Sequence, residues 1–255
     1  MVNLKNILYF YNFNMRNFWG ILLILGAILC SNICLGDNYG VYNSHNYRLR
    51  NDSGEKILFI LDFSNSMNEY TEDEPKCVLM VRTVKQLLAK IPPETAIGMR
   101  VYGHRPGFTA KDMCKASKNV APICPNNNRN IMNVLDTLHP NGMTPITYSL
   151  KQAIQNDFAG ISGKKRIILL TDGGENCDES PCKFAMQLIK TRRDISIDVI
   201  AFTVDDEDDL AQLECASLVT SGRFYTADTA AQLAKSLEQS LNSSKKVEAV
   251  IIPQR

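Results

Sequence analysis

A basic field is missing from this sequence. Its 28 lysines and arginines stand against 27 aspartates and glutamates, a formal charge of +1 over 255 residues. Proteins that track a phosphate backbone concentrate positive charge on one surface, so nucleic acid is not an expected partner. Histidine is scarce as well: the three present show no ligand spacing near the cysteines, which argues against a zinc site. Three marks of catalysis are absent. There is no Gly-x-Ser-x-Gly elbow, no His-Glu-x-x-His helix and no Gly-x-x-x-x-Gly-Lys phosphate loop. Internal repeats and long low-complexity runs are absent too.

What remains is ordinary globular material, 45% hydrophobic and 22% charged, enough for one large domain or two small ones. The N-terminus is the exception. Lys5 and Arg16 are its only charges before Asp37, and Phe18 to Leu29 is almost unbroken hydrophobe. A basic front, a short apolar centre and small residues near Cys34 and Gly36 fit a secretory signal, with Met15 as an alternative start. The uncharged stretch Asn17 to Gly36 is also long enough for an uncleaved anchor, the one route to a membrane. Cleavage is the reading adopted. Losing residues 1–36 removes two of the 28 basic residues and none of the 27 acidic ones, leaving a balance of −1.

Cysteine use agrees with export to the cell envelope, the periplasm or the exterior. Cys30 and Cys34 fall in the signal, leaving Cys77, Cys114, Cys124, Cys177, Cys182 and Cys215 as disulfide candidates. Cys177 and Cys182 bracket the tight polar loop Asp178-Glu179-Ser180-Pro181 and form the first expected pair. Cys114 with Cys124 is the second, and Cys77 with Cys215 the remainder.

Beyond a polar linker over 37–54, strand-like runs alternate with helix-period segments. The strands are expected at Lys56–Asp62, Ala96–Tyr102, Arg166–Thr171, Ser196–Val204 and Arg223–Thr226. Ile167-Ile168-Leu169-Leu170 is continuously apolar, as a strand covered on both faces should be. Cys77, Met80, Val81, Val84 and Leu88 share one helical stripe; Ile146, Leu150, Ile154 and Phe158 share another; Ala230, Leu233, Leu237 and Leu241 a third. The alternation predicts an α/β domain over 55–242, with a doubly wound, mostly parallel open sheet and helices on both faces. The tail over 243–255 either adds a strand at Val247–Ile252 or leads off the domain.

Ligands of such sheets bind beyond the carboxyl ends of the strands, where the winding reverses. Three polar loops should meet there. Asp62-Phe63-Ser64-Asn65-Ser66 follows the first strand, Gly142-Met143-Thr144-Pro145 opens a helix, and Thr171-Asp172-Gly173-Gly174-Glu175 closes a strand. Each has a plain account alone. Ser66 could cap a helix, Thr144-Pro145 reads as an N-cap with proline at the first helical position, and Asp172-Gly173-Gly174 is turn chemistry. Their joint order is what one oxygen-ligand metal site needs, since hard cations such as Mg²⁺ prefer oxygen ligands.

Together, Asp62-x-Ser64-x-Ser66, Thr144 and Asp172 resemble the metal-ion-dependent adhesion site, or MIDAS, of von Willebrand factor type A (VWA) domains. Gly98 to His104, Thr144-Pro145-Ile146, Glu175-Asn176-Cys177 and Pro181-Cys182 are similar to exported bacterial members labelled calcium-activated chloride channel homologues; nothing in the chain forms a pore. The resemblance spans about Glu55 to Leu241 and implies the Rossmann-like VWA fold. It also implies direct ligation of a divalent cation (Mg²⁺, with Mn²⁺ or Ca²⁺ as alternatives) by Ser64 and Ser66. Thr144 would ligate directly or through water, and Asp62 and Asp172 would hold the ion mainly through waters and hydrogen bonds. The open coordination position would take an Asp or Glu carboxylate of a protein partner, which makes the chain a binding module and not an enzyme. Two rival classes remain. One is an envelope scaffold with a purely structural metal. The other is a metal-assisted hydrolase, although Asp62-Phe63-Ser64 lacks the second Asp of an aspartyl-phosphate phosphatase.

Other polar residues have plainer roles beside functional ones. His104 could line the metal face or hydrogen-bond locally. Glu175 could add charge near the ion or orient the glycine turn. Asp205-Asp206-Glu207-Asp208-Asp209 lacks the glycine-bearing EF-hand loop and reads as an acidic first turn complementing a helix dipole. Glu72-Asp73-Glu74 reads as a solvated loop that could tune partner choice.

Overall fold

The computed structural model describes residues 54–242. The expected leader, nearly all of the linker and the tail lie outside these residues. The described chain runs β1 (Lys56–Asp62), a 3-10 turn (Asn65–Asn68), β2 (Tyr70–Thr71), β3 (Glu74–Pro75), α1 (Lys76–Leu88), β4 (Ile97–Tyr102), α2 (Ala110–Met113) and β5 (Ser117–Cys124). It continues through α3 (Asn128–Leu135), α4 (Ile146–Gln152), β6 (Lys165–Thr171), α5 (Pro181–Leu188), β7 (Ile195–Phe202), α6 (Glu207–Val219), β8 (Phe224–Ala227) and α7 (Ala230–Asn242).

The main sheet has the order β5-β4-β1-β6-β7-β8, parallel except where β5 pairs antiparallel with β4. Side chains alternate across a strand, so the two faces of β1 bury different partners. Ile57, Phe59 and Leu61 join Leu79, Val84 and Leu88 of α1, Ile131 of α3, and Leu233 and Leu237 of α7. Leu58 and Ile60 join Ile146 and Leu150 of α4, Leu188 of α5 and Leu213 of α6. Two covered faces are why β1 and β6 read as unbroken apolar runs. The chain builds outward from β1 through β4 to β5, then returns to β6 on the other side, so the winding reverses around β1.

The edge strand β5 was not expected. Its sequence Ser-Lys-Asn-Val-Ala-Pro-Ile-Cys is mostly half-exposed and carries a proline, the signature of an edge and not of a core strand. The stripe from Ile146 to Phe158 is real, but α4 stops at Gln152 and continues as a π-helical turn over Ala153–Asp157. That turn delivers Asp157 to Arg100 of β4, a buried pair with Nε–Oδ2 and Nη2–Oδ1 distances both 2.7 Å. Arg100 Nη1 also donates to Ser117 Oγ of β5 at 3.0 Å.

The expected disulfide pairing is overturned. Cys114 pairs with Cys177 and Cys182 with Cys215, while Cys77 is a free, half-buried thiol. Cys182 cannot serve the Cys177 loop because it lies in the first turn of α5, where its side chain turns to Cys215 of α6. Cys177 turns instead to Cys114, beyond α2, so neither the Cys177–Cys182 nor the Cys114–Cys124 pairing forms. Cys77 and Cys215 ride on helices covering opposite faces of the sheet, so the third pairing has the sheet in its way.

Removing one partner from a buried ion pair leaves the other charge uncompensated. Asp157→Ala should therefore cost about 3–5 kcal/mol of unfolding free energy, measured by urea denaturation. A loss below about 1 kcal/mol, the range of exposed pairs, would contradict the buried geometry.

Candidate metal centre

Asp62 is the last residue of β1, in register beside Tyr102 at the end of β4, while Leu61 aligns with Leu170, one residue before Thr171 of β6. The sheet order thus dictates its neighbours. The Asp62 carboxylate is fully buried and accepts Ser64 N–H at 2.6 Å on Oδ1, with Tyr102 O–H at 2.9 Å and Thr171 Oγ1–H at 2.8 Å on Oδ2. Burial, then the negative charge of Asp172, pushes its pKa up to about 6, against the pull of the Ser64 and Thr171 hydrogen bonds. In the metal-free protein the folded state therefore binds this proton more tightly than the unfolded chain. That share of stability is present below the ordinary carboxylate range and is lost as pH rises through about 6. At neutral pH the site holds a desolvated negative charge that a cation would relieve. Tyr102 stays a phenol donor, because burial and then Asp62 drive its pKa well above the usual tyrosine value.

From this anchor the 3-10 turn presents the two serine hydroxyls. Ser64 Oγ and Ser66 Oγ lie 3.0 Å apart, and Ser66 Oγ donates to Asp172 Oδ1 at 2.7 Å. Ser66 therefore does not cap a helix. Asp172, on the loop after β6, gives its other oxygen to Lys76 Nζ at 3.1 Å. Burial raises the Asp172 pKa while the Ser66 hydrogen bond and the Lys76 charge oppose the rise. Burial works against the Lys76 charge, yet its partners Glu69 and Asp172 hold its pKa above the usual lysine value.

Thr144 reaches the same edge through backbone contacts. Gly142 forms a bridge with Ser64, and its carbonyl accepts Asn65 N–H at 2.9 Å. This approach needs glycine at 103: φ is +68°, and a Cβ there would sit 2.6 Å from Ser64 N. Thr144 is not the N-cap of α4. Pro145 occupies that position, and Thr144 N–H donates to Asn176 Oδ1 at 2.7 Å. Glu175 neither points charge at the serines nor orients the glycine turn. Its Oε2 accepts Thr147 N–H at 2.7 Å and its Oε1 accepts Cys177 N–H at 3.0 Å. Glu175-Asn176-Cys177 is thus a clamp from the Asp172 loop onto the Thr144 loop, and the Cys114–Cys177 bridge ties that clamp to the segment after β4.

Four of the five expected residues, Asp62, Ser64, Ser66 and Asp172, form one hydrogen-bonded chain, and Thr144 stands buried on the adjoining loop. Among the described residues no three His, Cys, Asp or Glu side chains gather as a metal cluster. The donor set is instead hydroxyl-rich and oxygen-only. Ser64 Oγ and Ser66 Oγ are hydrogen-bonded at 3.0 Å, a separation that two neighbouring ligands of a small hard cation at about 2.1 Å could keep. Tyr102, Thr171, Lys76 and Asn176 were not foreseen as site residues. The first two had a readable signal, since both end strands on the edge where Asp62 sits. His104 is half-buried with its Nδ1 unpartnered among the described residues, and burial, then Arg105 and Lys118, lower its pKa. The acidic run does cap α6: Asp206 accepts Asp209 N–H at 2.9 Å, while Asp209 reaches back to Gly174 N–H at 3.1 Å. Glu72 and Asp73 turn the β2-β3 hairpin at positive φ, and Glu72 accepts Ala230 N–H at 2.7 Å.

The clamp has a measurable consequence. Substituting Cys114 and Cys177 by serine should speed hydrogen exchange of the Thr144 and Asn65 amides by at least about tenfold through local opening. Core amides of β1 and β6 should not change. Serine at Cys182 and Cys215 should leave the Thr144 amide as it was. Equal effects from both bridges would refute a specific clamp.

Among curated proteins, Bacillus subtilis (strain 168) YwmC is 30% identical over 194 residues, covering 74% of this chain and 84% of YwmC. Among solved structures, proximal thread matrix protein 1 of the mussel byssus with a zinc-occupied MIDAS motif superposes with a TM-score of 0.58 at 20% identity. It covers 75% of this chain and 46% of that one. The pilus adhesin SpaC of Lactobacillus rhamnosus GG, in its open conformation, superposes with a TM-score of 0.58 at 16% identity, covering 78% of this chain and 30% of SpaC. At these identities the two structures speak to fold alone. The sequence profile of the von Willebrand factor type A domain matches residues 56–239. With that match over most of its length, and YwmC as a relative, the chain belongs to the von Willebrand factor type A domain family.

Proposed function

We propose that this chain is an exported, metal-dependent protein-binding module. Asp62, Ser64, Ser66, Thr144 and Asp172 would hold Mg²⁺ or another divalent cation. The bound ion would supply an open, electrophilic position for an Asp or Glu carboxylate of a partner protein. The observation that carries this reading is the convergence of Asp62, Ser64, Ser66 and Asp172 in one oxygen-only, hydrogen-bonded chain at the sheet edge.

The chemistry of the donors supports binding over turnover. Asp62 accepts from three donors and Asp172 from Ser66 and Lys76, so neither carboxylate is placed as a free general base. An open groove of about 240 Å³ lined by Ile154, Phe184, Leu188 and Arg192 among others contains none of the site residues. Membership of the family, a zinc-occupied MIDAS in one neighbour and the adhesin role named for another agree with recognition. The two disulfides among the described residues support an oxidising destination. No helix among the described residues is long and apolar enough to cross a membrane.

A ligand that binds only the folded state stabilises it by mass action, by about 2.7 kcal/mol at a hundredfold excess over Kd. Millimolar Mg²⁺ or Mn²⁺ should raise the melting temperature of the EDTA-treated protein by several degrees. Asp62→Ala combined with Ser64→Ala should abolish the rise. A wild-type melting curve indifferent to every divalent cation would refute the proposal.

A further inference from the structure

Lys76 occupies a position that local energetics disfavour. It is the first residue of α1, where the helix dipole repels a cation, and it is only 7% exposed. Burying an ammonium is costly unless it is paired. The pairing is with the site: Nζ lies 3.1 Å from Asp172 Oδ2 and 3.0 Å from Glu69 Oε2, and Lys76 N–H donates to Glu69 O at 2.9 Å. The Asp172 side chain is wholly buried while Glu69 is 66% exposed, so solvent screens the Glu69 charge more and Asp172 is the buried partner.

We propose that Lys76 is a built-in counter-charge of the Asp62–Asp172 site, which holds its cation affinity down and leaves the loaded site positive toward a carboxylate. This rests on the metal-binding reading above. Two carboxylates alone would neutralise a dication. With Lys76 beside them these two buried carboxylates carry one net negative charge, so the loaded centre, apart from the solvent-screened Glu69, keeps one positive charge. Repulsion between the ammonium and the cation opposes loading, and the residual charge favours an anionic group from a partner. Lys76 is a positioning and tuning residue in this account and does not ligate the ion.

The test is calorimetric titration of the full chain with Mg²⁺, repeated with Mn²⁺, for wild type, Lys76→Gln and Lys76→Arg. Removing the charge should tighten cation binding by about tenfold or more, whereas Arg, which keeps it, should stay within about threefold of wild type. A merely structural lysine would give the opposite, with binding weakened as the site loosens. Lys76→Gln binding no tighter than wild type overturns the proposal while leaving the metal reading intact. A wild type that takes up no cation overturns both. If the neutral variant does not fold, NMR of the wild type decides. The Lys76 ε-methylene resonance should shift on saturation with Mg²⁺, and an unmoved resonance overturns the proposal.

Discussion

The burial of the Asp62 carboxylate is the constraint on which the rest of this edge depends. A charge with no exposure must be met by donors, and the three that meet it come from three chain segments. Ser64 N–H belongs to the loop that Asp62 itself starts, Tyr102 ends β4 and Thr171 ends β6. The parallel register of β4-β1-β6 is what brings those ends together. Breaking that register would unpair a buried carboxylate as well as slide an apolar strand. Fold and site are therefore specified by the same pairing.

Around this anchor the structure divides labour between positioning and charge. Gly103 and Gly142 let the Thr144 loop approach Ser64, while Glu175 and Asn176 fasten it from the other side. The Cys114–Cys177 bridge links that fastening to the β4-β5 connection, so hydrogen bonds and a disulfide join the loops into one unit at the sheet edge. Charge is handled separately. Asp172 divides its oxygens between Ser66 and Lys76, which keeps a desolvated carboxylate satisfied and limits how much negative charge the hydroxyl cluster sees.

Much of this was legible in the sequence, for reasons tied to period and burial. The unbroken apolar runs of β1 and β6 announced strands covered on both faces, and the stripes of α1, α4 and α7 announced helices. The five polar positions were readable because each stands just beyond a strand or before a helix. The edge strand β5 was not legible, since its polar, proline-bearing sequence looks like a loop until β4 pairs with it. The disulfides were misread because loop proximity suggested Cys177 with Cys182, whereas the first turn of α5 aims Cys182 at α6. Lys76 was hidden for the same kind of reason. Its role depends on Asp172, nearly a hundred residues away, and no local pattern encodes that contact.

The central claim is that the hydroxyls of Ser64 and Ser66, backed by Asp62, Thr144 and Asp172, receive a divalent cation. Anomalous diffraction from crystals soaked in Mn²⁺ tests it most directly. The account predicts a single strong anomalous peak about 2.1–2.3 Å from both serine hydroxyl oxygens, with Asp62 beyond direct ligand distance. No peak there, or a peak confined to the acidic turn Asp205–Asp209, would contradict it.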